Sequence, residues 1–300
     1  AVSTGARHVC AVTSKGTLWC WGDNHYAQLG FGQLATVAPP TALATDGWTA
    51  VTAGNDFTCG VRNKVIYCWG DNRFGQLGIE PSPEPVAEPR RVEVEPGPGA
   101  DAFAAATVLN LQAGAAHTCA LLEAGSERSV WCWGSNESGQ LGVDNPNGDT
   151  SRQAVKVPVP SSDLASITVG GRLGCALTKG SGELWCWGLN DNKQFIGDGP
   201  VAIAPRKLDV LAGAEGRLRS VATNGASICT IVDYANNSVG LLCWGYASFR
   251  AATPPDASGH YPTPVKMFPD QLSGWSDLVM GLFYACARNG DGLLQCFGDL

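Results

Sequence analysis

Residues 18–30 read LWCWGDNHYAQLG, a cysteine set between two tryptophans in front of a glycine. Such a stretch suits a core strand, a metal ligand or a reactive thiol, and the rest of the chain decides among them. The run returns as YCWGDNRFGQLG at 67–78, WCWGSNESGQLG at 131–142, WCWGLNDNKQF at 185–195, LCWGYASF at 242–249 and QCFGDL at 295–300. Upstream of each copy a second cysteine stands in a matching frame. The frames GARHVC, GNDFTC, GAAHTC, GGRLGC, NGASIC and GLFYAC end at Cys10, Cys59, Cys119, Cys175, Cys229 and Cys286, so six copies use all 12 cysteines.

Between the two cysteines of each copy the midpoint falls on SKGT, NK, GS, GS, ANN or GDG, which is the turn chemistry of a β-hairpin. Directly opposed residues of an antiparallel pair lie about 4.5–5.5 Å apart, within the reach of a disulfide. The expected pairs are Cys10–Cys20, Cys59–Cys68, Cys119–Cys132, Cys175–Cys186, Cys229–Cys243 and Cys286–Cys296. Zinc ligation or free core thiols are the alternatives, but the sequence has no C-x-x-C pair and only 4 histidines. Six disulfides imply an oxidising compartment, hence an extracellular, periplasmic or cell-surface protein.

A leading strand precedes the frame, as in WTAVTA at 48–53, VLNLQA at 108–113, LASITV at 164–169, LRSVAT at 218–223 and WSDLVM at 275–280. A further apolar stretch with proline follows the glutamine turn, as in RQAVKVPV at 152–159 and YPTPVKMF at 261–268. Four short strands per unit of roughly fifty residues is the arithmetic of a propeller blade. The expected fold is an all-β propeller with four-stranded antiparallel blades, six from the repeat count and seven if the natural chain is longer. The chain reads as one domain with repeats at approximately 1–47, 48–107, 108–163, 164–217, 218–274 and 275–300, the first and last incomplete at the ring seam. In this reading the cysteines staple the innermost hairpin, Trp21 and its equivalents pack between blades, and Gly22 turns the chain out of its strand.

Composition narrows the function. With 44% hydrophobic and 16% charged residues the chain can bury a sizeable core, and 38 glycines and 18 prolines favour short strands and turns. A net charge of −7, with no basic run longer than Arg90-Arg91, argues against nucleic acid. No apolar window is long enough to span a membrane, and the first residues lack the form of a signal peptide, as expected of a processed or excised domain.

The frame glycine through H-x-C-A-L/V, then W-C-W-G-x-N and G-Q-L-G, resembles the repeats of the regulator of chromosome condensation family. Gln28-Leu29-Gly30, Gly75-Gln76-Leu77-Gly78 and Gly139-Gln140-Leu141-Gly142 carry it most closely. The resemblance implies a β-propeller, typically seven-bladed. The family's eukaryotic founder is a nuclear exchange factor for a small GTPase, a role at odds with an acidic, disulfide-stapled chain.

No Ser-His-Asp set, H-E-x-x-H pattern or free cysteine nucleophile is visible, so no catalytic residue, cofactor or metal site is assigned and the chain reads as non-enzymatic. His8 and His117 share one frame position and are expected to be hydrogen-bonded within their blades. DNPNGD at 144–149 and NDNKQFIGDG at 190–199 are oxygen-rich but lack regular calcium-loop spacing, and Asn24, Asn72, Asn136 and Asn190 read as Asx turns. NES at 136–138 and NNS at 236–238 match the N-glycosylation acceptor, a short pattern with meaning only in a eukaryotic secretory pathway.

Two regions depart from the repeat. Residues 79–101, rich in proline and glutamate, suit a projecting, weakly ordered loop. Residues 232–261 place Tyr234, Tyr246, Phe249, Arg250 and Tyr261 in or beside loops, with weak counterparts at His25-Tyr26 and Arg73-Phe74. Loop aromatics and arginine are the material of protein-binding hot spots. The expected function is binding of another macromolecule, a protein, through these loops. Carbohydrate binding and a structural unit self-associating through the incomplete seam are the alternatives.

Overall fold

The frame cysteines and the W-C-W-G run lie on adjacent antiparallel strands in register, and each blade is built outward from that pair. The computed structural model describes residues 1–94, 100–144, 150–196, 201–246, 254–268, 274–281 and 283–298. The chain divides into two units, Ala1–Ser162 and Asp163–Leu300.

In the first unit, blade 1 comprises β1 (Val2–Thr4), β2 (His8–Val12), β3 (Leu18–Asn24) and β4 (Ala35–Ala42). Blade 2 comprises β5 (Trp48–Ala53), β6 (Phe57–Arg62), β7 (Val65–Asn72) and β8 (Ser82–Arg91). A short helix, α1 (Ala100–Ala105), precedes blade 3, which holds β9 (Thr107–Ala113), β10 (His117–Ala124), β11 (Glu127–Ser135) and β12 (Thr150–Val157). In the second unit, blade 4 holds β13 (Leu164–Gly170), β14 (Leu173–Thr178), β15 (Leu184–Leu189) and β16 (Val201–Leu208). Blade 5 holds β17 (Gly216–Thr223), β18 (Ser227–Tyr234), β19 (Val239–Tyr246) and β20 (His260–Lys266). Blade 6 holds β21 (Ser276–Met280), β22 (Tyr284–Arg288) and β23 (Leu294–Gly298). Each sheet is ordered as its strands run in sequence, four in five blades and three in blade 6 among the described residues. The fold is an all-β propeller of six blades.

The sheet order corrects one expectation. The leading strands, not the cysteine hairpins, are innermost: the Ala53 amide donates to Ser3 Oγ at 3.0 Å and the Ala113 amide to Thr52 Oγ1 at 2.9 Å, linking β1, β5 and β9 from blade to blade. The cysteines join the second and third strands of each blade. All six pairs form, with Cα atoms between 4.0 and 4.2 Å apart, and Cys10↔Cys20 and Cys59↔Cys68 are directly opposed in the ladders.

The glycine of W-G does not end its strand either. It closes a β-bulge at which the register with the fourth strand shifts, as between Cys68 and Gly70, and β7 runs on to Asn72. Gly70 takes φ 108°, and a Cβ there would meet the Asp56 carbonyl oxygen at 2.7 Å. Glycine is needed for both reasons. The tryptophans before the bulge glycines are drawn into the core: Trp69, Trp133, Trp187 and Trp244 are fully buried, whereas Trp21 is half-buried. Trp48 meets Trp69 edge-on at 5.6 Å within the core of blades 1 and 2.

Residues 79–101 also differ from expectation. Ser82–Arg91 form β8, the outer edge of blade 2, residues 95–99 lie outside the described residues, and residues 100 and 101 open α1. Proline cannot donate to a ladder but is tolerated on an edge strand, so Pro83, Pro85 and Pro89 are compatible with pairing to β7. Phe103 of α1 packs edge-on against Trp131 at 5.2 Å.

Candidate functional site

The turn after W-G is built the same way in blade after blade. Asn24 Oδ1 accepts the Leu29 amide at 2.9 Å while its Nδ2 donates to the Gln33 carbonyl at 2.9 Å. Asn72 does the same to Leu77 and Glu80, and Asn136 to Leu141 and Val143. These bonds reach five to nine residues ahead, well beyond an Asx turn, so each asparagine clamps the whole loop. The glutamine side chain closes it from the other end, Gln28 Oε1 accepting the Tyr26 amide and Gln76 Oε1 the Phe74 amide, both at 2.9 Å.

The same glutamine offers its backbone carbonyl to the next blade. Gln28 O accepts Thr58 Oγ1 at 2.7 Å and Trp69 Nε1 at 3.0 Å, and Gln194 O accepts Trp244 Nε1 at 2.7 Å. Thr58 in turn meets His8 Nε2 at 2.8 Å. Because the threonine proton is directed to Gln28 O, the His8 ring donates, so His8 bridges two blades rather than bonding inside its own. Burial holds His8 down at about 4 and His117 at about 3, so both are neutral. Neither ring nitrogen of His117 has a hydrogen-bond partner among the described residues.

Between the clamped asparagine and glutamine the side chains vary, and those are displayed. In the first unit, Asp23, Asp71 and their partners form one polar surface. His25 Nδ1 is hydrogen-bonded to Asp23 Oδ1, and Arg7 Nε lies 3.3 Å from Asp23 Oδ2. Burial opposes ionisation of Asp23, yet the His25 ring, the His25 amide and the Arg7 charge together hold its carboxyl below the usual range. Arg73 reaches Asp71 with two bonds, 2.9 and 3.1 Å, and lies over the Tyr26 ring at 5.0 Å. Gln76 Nε2 adds a 2.9 Å bond to Asp71 Oδ2. The Asp71 bond is the main cause of the raised Arg73 pKa. Nearby, burial pushes the Asp56 carboxyl up. The Arg73 and His25 side chains nevertheless stay 46% and 57% exposed.

In the second unit the equivalent turn of blade 4 meets the 254–261 loop. Lys193 Nζ is 2.7 Å from Asp256 Oδ2, and His260 lies between Asn192 Oδ1 at 3.1 Å and Ser258 Oγ at 3.0 Å. Tyr246, 43% exposed, stacks edge-on against His260 at 5.8 Å. The bond from Lys193, followed by those from Ser258 and His260, holds Asp256 far below the carboxylate range.

Of the described residues among Tyr234, Tyr246 and Tyr261, Tyr246 alone lies on this exposed turn surface. Tyr261 is a core residue, 3% exposed. Tyr234 is half-buried at the other end of β18, beside Glu215, Asn236 and Lys266 in an open recess, and burial raises its pKa. The β18–β19 ladder separates Tyr234 from Tyr246 by about 25 Å at the usual rise per residue, so the two do not form one site. Phe249 and Arg250 lie outside the described residues. The Lys193–Asp256–His260 cluster was missed, although its signal is present: Asn192 occupies the variable slot of Tyr26, two residues after the clamp asparagine, and Lys193 puts a charged side chain in the next slot, where Ala27 and Gly75 stand.

Comparison with known proteins agrees with this architecture. A 222-residue stretch is 27% identical to the ultraviolet-B receptor UVR8 of Arabidopsis thaliana, covering 72% of this chain and 48% of that protein, about half its length. The fold superposes on human WBSCR16 with TM-score 0.80 at 18% identity, covering 99% of this chain and 75% of that one. It superposes on Prp20p of Saccharomyces cerevisiae with TM-score 0.75 at 19% identity, covering 99% and 71%. The regulator of chromosome condensation (RCC1) repeat model matches residues 15–61, 65–121 and 129–177, and a second model of that repeat matches 1–28 and 108–140. With the repeat matched over half its length, the chain belongs to the regulator of chromosome condensation (RCC1) repeat family.

Proposed function

We propose that this chain is a non-enzymatic propeller, secreted or exposed on the cell envelope, that binds another protein through the turn surface carrying Tyr26 and Arg73. The observation that carries this reading is the Arg73–Tyr26 stack at 5.0 Å, with the arginine held twice by Asp71 and still half-exposed. An arginine and an aromatic already fixed in their bound geometry lose little rotamer freedom on association, which favours them as anchors. Identical turn backbones carrying different side chains are how a rigid scaffold acquires a specific partner. Binding to Gsp1p and histones is described for Prp20p, in line with a protein-binding role for the fold. Six disulfides support the oxidising compartment.

The test is affinity capture from the extracytoplasmic fraction of the source organism, comparing the native chain with Y26A/R73A and Y246A variants, alongside a glycan array. A protein retained by the native chain, with at least tenfold weaker binding for Y26A/R73A at unchanged melting temperature, is the expected result. Glycan binding without a protein partner, or capture indifferent to Y26A/R73A, would sink the reading.

A further inference from the structure

The two matches to the N-glycosylation acceptor pattern stand in opposite environments. In Asn136-Glu137-Ser138 the acceptor amide is spent on the turn clamp: Nδ2 donates to the Val143 carbonyl at 3.0 Å and Oδ1 accepts the Leu141 amide at 3.0 Å. Ser138 is buried, 5% exposed. In Asn236-Asn237-Ser238 the acceptor sits exposed at the tip of the β18–β19 hairpin. Its Oδ1 accepts the Ser238 amide at 3.0 Å and the Ser238 hydroxyl at 2.6 Å, and among the described residues its Nδ2 has no partner. Asn237, at φ 63°, and the Tyr234 amide bond to the Ser238 carbonyl at 2.9 Å hold this tip in shape.

From this contrast we infer that Asn236, and not Asn136, is an acceptor site for N-linked oligosaccharide when the chain passes through a glycosylating secretory pathway; the inference rests on the extracytoplasmic reading above. The co-reactant is a lipid-linked diphospho-oligosaccharide. Asn236 Nδ2 attacks the anomeric carbon of the terminal sugar and a C–N bond forms. The C–O bond to the diphosphate breaks, the lipid diphosphate leaves with the electron pair, and the Nδ2 proton passes to a base of the transferase. Ser238, hydrogen-bonded to Oδ1, supplies the hydroxyl that the acceptor pattern requires. Asn136 would have to surrender both ends of a turn that carries blade 3.

A glycan on Asn236 would stand over the recess of Glu215, Tyr234 and Lys266, at the end of the blade opposite Tyr246. It therefore leaves the Tyr246 end of that blade accessible.

The experiment is expression behind a secretory leader in a eukaryotic cell, with intact mass and glycopeptide mapping before and after peptide-N-glycosidase treatment. Both secreted and retained material are read, and cysteines are mapped on the same samples. One glycan at Asn236, lost in N236Q and S238A and kept in N136Q, is the expected result. Chain without a glycan, or with one at Asn136 in place of Asn236, would overturn the inference. Cysteine mapping judges the compartment separately: an unglycosylated chain with six bonds condemns the site alone, whereas free thiols count against the extracytoplasmic reading.

Discussion

Thr58 and His8 form a buried polar pair that joins two blades of the first unit. Thr58→Val removes a donor from Gln28 O and leaves the His8 ring without its partner. The expected cost is about 2–3 kcal/mol in chemical denaturation, because the lost bond leaves a buried donor unpaired. Thr118→Val, whose bond to the Gln76 carbonyl is longer at 3.3 Å and whose frame neighbour in blade 2 is Phe57, should cost about 1 kcal/mol. Equal costs would show that the histidine bridge is not what matters. The two buried histidines also set an acid limit. Their folded pKa values, about 4 and about 3, lie below the ordinary 6.5, so folding favours the neutral ring. Their contribution is fully present above 6.5 and is lost as the pH falls from there through 4 and toward 3. Denaturation midpoints between pH 7.5 and 4 should therefore fall less steeply in H8F/H117L, which borrows the side-chain types of blades 2 and 4, than in the native chain. Parallel slopes would refute it.

At the scale of the strand, the bulge glycine is decisive. Gly70→Ala places a methyl 2.7 Å from the Asp56 carbonyl oxygen at a backbone angle that L-residues avoid. A loss of about 2 kcal/mol or more in stability is expected from the strained φ and the contact together. Gly125→Ala provides the comparison, since φ is also positive there, at 63°, but nothing lies within 4 Å of the added carbon. If both cost the same, the backbone angle alone is responsible. The stapled middle hairpin is the other element-scale device. Removing one bond, as in C59A/C68A, should cost about 2–3 kcal/mol, the short loop limiting the gain.

For the whole molecule, the disulfides are not equally protected. Cys10, Cys20, Cys59, Cys68, Cys119, Cys132, Cys175, Cys186, Cys229 and Cys243 are at 0% exposure, whereas Cys286 is 7% exposed and Cys296 is exposed. In blade 6, β23 pairs with β22 alone among the described residues, whereas the third strand of every other blade also pairs with a fourth. Under native conditions a dithiol reductant followed by alkylation should label Cys286 and Cys296 first, the other ten only after unfolding. Uniform labelling would mean that the blades open as readily as their edges.

What was legible in the sequence is what repeats locally: the period of the cysteine frame, the hairpin between its members, the pairing of all 12 cysteines and the all-β class. Turn chemistry and strand register are decided within a dozen residues, so one copy read against the next is enough to see them. Where the hairpin lies in its blade was not legible, because sheet order depends on which edges meet neighbouring blades. Nor was the role of Gln28, whose carbonyl serves Thr58 and Trp69 some thirty and forty residues on. The proposed binding surface divides in the same way. Tyr26 and Arg73 stood out in the sequence only as weak counterparts of the 232–261 aromatics, since their stack joins two turns from different blades. Tyr261 looked available and is core, because burial is settled by whatever packs against a strand and not by the strand's own residues.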